Sequence, residues 1–296
     1  MGAFDIQVNG FAGVDFNADE VSGDEMGKVA EVLSGDEVDG ILATVITAEI
    51  GAMERRVRRL AEFCSEDGVF KGIHVEGPFL NPAPGYIGAH PGEHVCPATM
   101  DAMERLVDAG SGYVRLVTLG PEQDPDFKVT RWLVDRGIKV AAGHCDPSLE
   151  QLRGAADAGL SLFTHLGNGC PPMMHRHDNI IQRTLSLSDR VWICLIADGH
   201  HLPLYVLGNL IRSVGVERCI AVTDAMSAAG AAPGLYPLAG TLYEVGKDRV
   251  VRMPGTDQFA GSAATLPDVR ETLRAVGLSD GEVKQVTEIN PLKALG

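Results

Sequence analysis

A chain of 296 residues has room for one large domain or two small ones, and α/β barrels of about 250 residues count as one. Hydrophobic residues make up 45% and charged residues 22%, a balance that excludes a disordered chain. Twenty-five basic residues against forty acidic ones give a formal charge of −15, so a nucleic-acid backbone would be repelled and is excluded as a partner.

Short apolar, β-branched runs predict strands at 3–9, 41–47, 70–76, 113–119, 138–143, 160–165, 191–197 and 219–224. Amphipathic patterns predict helices between them at 24–34, 51–65, 98–109, 127–136, 148–158 and 203–214, with two more at 265–276 and 280–288. Eight strands alternating with helices is the number that closes a (β/α)8 TIM barrel, so the expected fold class is α/β. Some caps are visible: Asp146-Pro147-Ser148 offers a cap and a first-turn proline, and Ser279-Asp280 opens the last helix. The stretch 168–187 reads as a loop leading into a short helix. A second irregular stretch, 227–262, reads as an insertion, with a hairpin in TLYEVGKDRVVRM turning at Gly246-Lys247-Asp248. No repeat or linker divides the chain, and a single domain over 1–296 is expected. No apolar run approaches the ~18 residues of a membrane span, and the start MGAFDIQVNG lacks the pattern of a signal peptide. Six well-separated cysteines form no C-x-x-C pair, which together with the missing signal points to reduced thiols and a cytoplasmic location.

Polar residues stand where the strands end. Gln7 and Asn9 close the first strand, Glu76 the third, His144 the fifth, His165 the sixth and Asp224 the eighth, while His201 follows the seventh. In a barrel all these ends meet at one mouth. Glu76, His144 and His165 then supply a carboxylate and two imidazoles, the ligand set of a catalytic zinc that keeps one position open. Each residue also has a plainer account: a lone histidine at a strand end is usually a satisfied polar group, Glu76 before Gly77-Pro78 can cap a turn, and Asp224 can cap a helix. Placement of all three ligand types on strands of one barrel favours the metal site, beside which Asp224 stands as a general base.

The segments DIQVNGFAGVDFN (5–17), HVEGPFLN (74–81), GAHP (88–91), AGH (142–144), THLGNGCP (164–171), IADGHH (196–201), VTDA (222–225), AGSAATL (260–266) and NPLKALG (290–296) resemble the amidohydrolase superfamily. Within it they are similar, in order, to the N-acetylglucosamine-6-phosphate deacetylase family. The resemblance implies a TIM barrel of the metal-dependent amidohydrolase type, acting as a homodimer on a small amino-sugar phosphate. The implied reaction removes the acetyl group from N-acetylglucosamine 6-phosphate, giving glucosamine 6-phosphate and acetate. It assigns Glu76, His144 and His165 to the metal, Asp224 to proton transfer, and His90 to polarising the acetyl carbonyl. Gln7, Asn168, Gly169, Arg176 and His201 are assigned to the substrate.

Many superfamily members end the first strand in His-x-His; here Gln7 and Asn9 stand there, which implies one divalent ion rather than two. Zinc is the first choice, with iron or another divalent ion also suited to this ligand set. The family's flanking strands, which join into a small β-sandwich, have no counterpart in this sequence, so a short form is expected. Around Arg176 the sequence MMHRHDN departs from the family pattern: His175 and His177 either add phosphate contacts or signal a different anionic or neutral sugar, and His177 and Asp178 can equally cap the next helix. Two other functions stay open: a single-metal deacetylase of another N-acyl amino sugar or amino acid, and a barrel that binds a sugar phosphate without turning it over.

Overall fold

Apolar runs buried on both faces form the inner wall of the molecule. The computed structural model describes residues 2–252 and 259–296. The chain begins with β1 (Ala3–Val8), a small hairpin of β2 (Gly10–Phe11) and β3 (Val14–Asp15), α1 (Gly23–Gly35), β4 (Val38–Ile46) and α2 (Ile50–Ala61). There follow β5 (Phe70–Glu76), α3 (Met100–Ala109), β6 (Val114–Leu119), α4 (Lys128–Val134), β7 (Lys139–Ala142), α5 (Leu149–Asp157) and β8 (Leu162–Phe163). After α6 (Ile180–Leu185), β9 (Trp192–Ile196), α7 (Leu204–Val214) and β10 (Cys219–Val222) come β11 (Gly234–Leu238), β12 (Thr241–Val245) and β13 (Val251–Arg252). The chain closes with α8 (Leu266–Ala275), α9 (Asp280–Lys284), a π turn at Gln285–Ile289 and α10 (Asn290–Leu295).

Strands β1 and β4 to β10 pair in parallel in that order, the arrangement of the expected (β/α)8 barrel. The seam between β10 and β1 is held mainly by side-chain bonding. Val8 and Ala225 form a single parallel bridge, and the Asp5 carboxylate accepts from both the backbone N–H and the hydroxyl of Thr223 (3.1 and 2.6 Å). Inside the barrel, Phe4, Ile6, Leu42, Leu116, Leu162, Ile196, Ile220 and Val222 fill the space, and Ala294 and Leu295 of α10 join them from below. A larger apolar shell, with Val45, Val75, Val117 and Val140 among its members, packs the strands against the surrounding helices. Sites in such barrels lie at the C-terminal strand ends, because the opposite end is packed for stability.

The predicted strands agree with the observed ones to within a few residues, with one instructive exception. The run 160–165 yields only Leu162–Phe163, because the backbone turns at His165, where φ is 35°. The expected hairpin at 241–253 is present as β12 and β13, and β11 adds a third antiparallel strand to it. Residues 253–258 of the expected insertion lie outside the described residues. The inner face of this small sheet, with Leu238, Tyr243 and Val245, packs on Ile46 and Met226 over the barrel mouth. The last expected helix, 280–288, runs on through the π turn to Leu295. No described helix is long and apolar enough to cross a membrane.

Candidate active site

Glu76 is the final residue of β5, while His144, His165 and Asp224 each lie two residues beyond β7, β8 and β10. All three adopt left-handed backbone, with φ of 50°, 35° and 51°. That conformation costs a non-glycine residue about 1–2 kcal/mol, and strain of this kind gathers at functional sites because the surrounding structure must hold it. Its effect is to end each strand sharply at the mouth, where the three side chains line one cavity of about 450 Å³ together with Glu76.

The Glu76 carboxylate is the focus of this cavity. His165 Nε2 lies 3.0 Å and His144 Nε2 3.5 Å from its Oε1, and His90 Nε2 lies 3.9 Å from Oε2. From behind, Gln7 Nε2 donates to both oxygens at 3.2 Å. Burial alone would raise the Glu76 carboxyl, but the hydrogen bonds of His144 and His165, with the charge of His165, hold it well below the usual range. His90 runs the other way: burial, reinforced by His144, pushes its imidazole down to about 3.

The donor atoms fit a divalent ion. Tetrahedral ligands at ~2.1 Å from a metal stand about 3.4 Å from one another, and the separations of 3.0 Å for His165 and 3.5 Å for His144 from Glu76 bracket that value. Ligand atoms of Glu76, His90 and His144 all lie within 4.8 Å of one another, a group in which His90 stands where the sequence reading places His165, although His165 Nε2 is the nearer of the two to the Glu76 carboxylate. His144 Nδ1 donates to the Tyr86 carbonyl at 2.7 Å, leaving Nε2 free to face Glu76. Gly88 and Gly169 press on the same ring, where a Cβ on either would sit 2.9 Å from it.

Asp224 stands across the cavity, its Oδ1 accepting from Asn9 Nδ2 at 2.8 Å. Burial, with the negative charge of Glu76, pushes its carboxyl up to about 6. Three polar atoms of cavity-lining residues are buried without a partner among the described residues: His165 Nδ1, Asn9 Oδ1 and Asn168 Nδ2, of which the last two are amide atoms. The two amide atoms offer an acceptor and a donor to a polar ligand. His201 also lines the cavity, its Nδ1 bonded to Asp198 at 2.7 Å and its ring edge-on to Phe259.

Of the residues expected at the site, Glu76, His90, His144, His165, Asn168, Gly169, His201 and Asp224 all line this cavity. Two do not: Gln7 sits behind Glu76, and Arg176 is exposed on the loop that follows. The cap of α6 is Asn179, not the expected His177 or Asp178, and His175 Nδ1 accepts the backbone N–H of Asp178 at 2.9 Å within the loop. Sequence reasoning gave no role to Asp198, Asn9 or Tyr86. Asp198 carries a signal, the three-residue spacing to His201 that lets a carboxylate reach the imidazole; Tyr86 acts through its carbonyl, which no residue type announces.

No family model matches the chain. The N-acetylglucosamine-6-phosphate deacetylase of Homo sapiens is 32% identical over 310 residues, an alignment covering all of this chain and 74% of that protein. The chain belongs to the N-acetylglucosamine-6-phosphate deacetylase family. The N-acetylgalactosamine-6-phosphate deacetylase of Escherichia coli O157:H7 is 32% identical over 237 residues, 79% of this chain and 61% of its own length. This deacetylase-family chain thus spans about three fifths of that relative. A solved structure of a Mycobacterium smegmatis N-acetyl-D-glucosamine-6-phosphate deacetylase variant, in complex with N-acetyl-D-glucosamine-6-phosphate, superimposes with a TM-score of 0.91. It is 32% identical and matches all of this chain and 77% of its own.

Proposed function

We propose that this chain is a metal-dependent hydrolase that removes the acetyl group from N-acetylglucosamine 6-phosphate. The observation that carries the reading is the convergence of Glu76, His144 and His165 on one point with Asp224 lining the same cavity. Family membership and the ligand of the Mycobacterium smegmatis structure support the substrate. Cytoplasmic residence, a homodimer and one domain containing barrel and insertion belong to the same proposal.

Glu76, His144 and His165 would hold one divalent ion, zinc in the first instance, which when bound supplies Lewis-acid polarisation of the acetyl carbonyl and a more acidic water. The remaining work falls to side chains. Asp224, with a carboxyl at about 6, is mostly ionised near neutral pH and accepts a proton from the attacking water. It then returns that proton to the departing amine nitrogen, so acetate and the free amino sugar leave. Asn9 holds Asp224 in place for both transfers. The hydroxyl of Thr47 lies 2.9 Å from His90 Nδ1; with that nitrogen as acceptor, Nε2 carries the hydrogen and donates it to the acetyl oxygen as charge develops. Asn168, Gly169 and His201 contact the sugar, and the exposed Arg176 meets the phosphate.

An acetate-release assay tests this reading across N-acetylglucosamine 6-phosphate, its galactosamine epimer and the two unphosphorylated sugars, with metal content measured on the same sample. Metal-dependent release from the phosphorylated glucosamine derivative is expected. Release from the unphosphorylated sugars at equal kcat/KM would remove the phosphate contact, and no release from any of the four would overturn the hydrolase.

A further inference from the structure

Arg183, on α6, is placed outside the cavity yet is bonded on every side. Its Nε donates to Asp178 Oδ1 at 2.6 Å, and one terminal nitrogen donates to Asp146 Oδ1 at 2.8 Å and to the Pro147 carbonyl at 3.0 Å. The first contact fixes one end of the loop that carries Arg176. That loop is tied within itself by His175, whose ring accepts the Asp178 N–H and whose carbonyl accepts from Asn179 Nδ2 at 2.8 Å. The second contact reaches a segment two residues from His144.

From Asp146 two connections run to the loop that orients His144. The Tyr86 phenol lies against the Asp146 carboxylate, and burial together with that neighbour pushes the phenol up to about 12. The Asp146 N–H donates to Glu122 Oε1 at 2.7 Å; the same oxygen accepts from Asn81 Nδ2 at 3.0 Å, and the Asn81 N–H donates to the His144 carbonyl at 2.9 Å. Asn81 Oδ1 in turn accepts from Ala83, whose carbonyl accepts from Tyr86. Tyr86 then takes the His144 Nδ1–H on its own carbonyl. The two loops also touch, since a Cβ on Gly85 would lie 2.8 Å from Pro171.

We propose that Arg183 is a positioning residue that couples the Arg176 loop to the orientation of the His144 imidazole, through Asp146 and the Tyr86 loop. A ligand seated against the Arg176 loop then tightens the same network that aims His144 Nε2 at Glu76. Charge-assisted bonds of a planar guanidinium suit this task, because their direction is fixed and a lysine reproduces only part of it. The functional meaning of this coupling rests on the hydrolase reading, but its physical content does not.

Partners that hold a metal-binding histidine in place typically change metal affinity by 10–100-fold when removed, and Arg183 lies two residues beyond such a partner, behind Asp146 and Tyr86. Arg183→Ala is therefore expected to weaken zinc binding, measured by competition with a chelator, by about 3–10-fold. Arg183→Lys should recover part of the loss. Tyr86→Phe should weaken binding too, and combining it with Arg183→Ala should give less than the product of the two effects, since both act along one path. In metal-free protein, exchange of the His144 Nδ1 proton, followed by NMR, should speed up in Arg183→Ala. Unchanged proton exchange in folded Arg183→Ala, or in Arg183→Lys and Tyr86→Phe where the alanine variant does not fold, overturns the coupling. Unchanged zinc affinity beside a lowered Tm would likewise overturn it, leaving Arg183 a purely structural clamp. Failure of the wild-type protein to bind any divalent ion would instead undo the hydrolase reading, and the proton-exchange measurement would still decide the coupling.

Discussion

Asp224 carries the proton-transfer half of the account, and its geometry separates that role from metal holding. It bonds to Asn9, not to the imidazoles grouped around Glu76. Asp224→Asn is expected to keep its metal, read by elemental analysis, while kcat falls by roughly 10²–10⁴, the usual scale for a lost general base. Full activity in that variant would take Asp224 out of the reaction. A second carboxyl acts on stability instead. Burial, against hydrogen bonds from Thr223 and Gln7, pushes the Asp5 carboxyl up to about 7. An unfolded chain loses that proton near pH 4, so between about pH 4 and 7 the folded state binds more protons than the unfolded one. The contribution is thus fully present in acid and is lost as pH rises toward 7, with a limiting slope of ~1.4 kcal/mol per pH unit. Wild-type stability relative to that of Asp5→Asn, from urea unfolding, should fall between about pH 5 and pH 7. A difference that stays constant would show that Asp5 is ionised in the fold. At this scale the sequence was legible wherever a side chain ends a strand, as with Glu76 and His165. It was silent on Asn9 holding Asp224, because that contact joins residues 215 positions apart and neither residue type demands the other.

Among the elements, the apolar runs located the strands because both faces of each are buried and period-two alternation is not required. The caps were legible in part: Ser148 caps α5, but Pro147 precedes that cap and does not stand in the first turn, because the helix starts only at Leu149. Ser148 accepts from the Gln151 N–H while the Gln151 side chain accepts from the Ser148 N–H, a complete capping box at the start of α5. Ser148→Ala should therefore lower stability by about 1 kcal/mol in denaturant unfolding, whereas no change would mean that packing alone sets the start of α5. Short elements were harder. Strands β2 and β3 have two residues each, too few for a periodic signal, and β11 contains Pro237, which sequence rules set against a strand. Pro237 is tolerated because β11 is an edge strand of its sheet. The early end of β8 followed from left-handed backbone at His165, a departure that a histidine in an apolar run does not advertise.

For the whole molecule, the eight-strand count gave the barrel, and the barrel gave the site by bringing strand ends together. Closure could not be read in advance, since it depends on Asp5 bonding to Thr223 across 218 positions where the ladder between β1 and β10 is incomplete. The net charge of −15 fits a site that reads a small ligand in a cavity and not an extended polyanion. An acidic surface also makes the local placement of Arg176, His201 and unpaired polar atoms decisive for any phosphorylated sugar. The most direct test of the central claim is acetate release from N-acetylglucosamine 6-phosphate by protein stripped with a chelator and titrated with zinc. The account predicts no release from the stripped protein and full recovery at about one equivalent per chain, as set by one Glu–His–His site. Release that survives complete removal of metal, or that fails to return with any divalent ion, would contradict it.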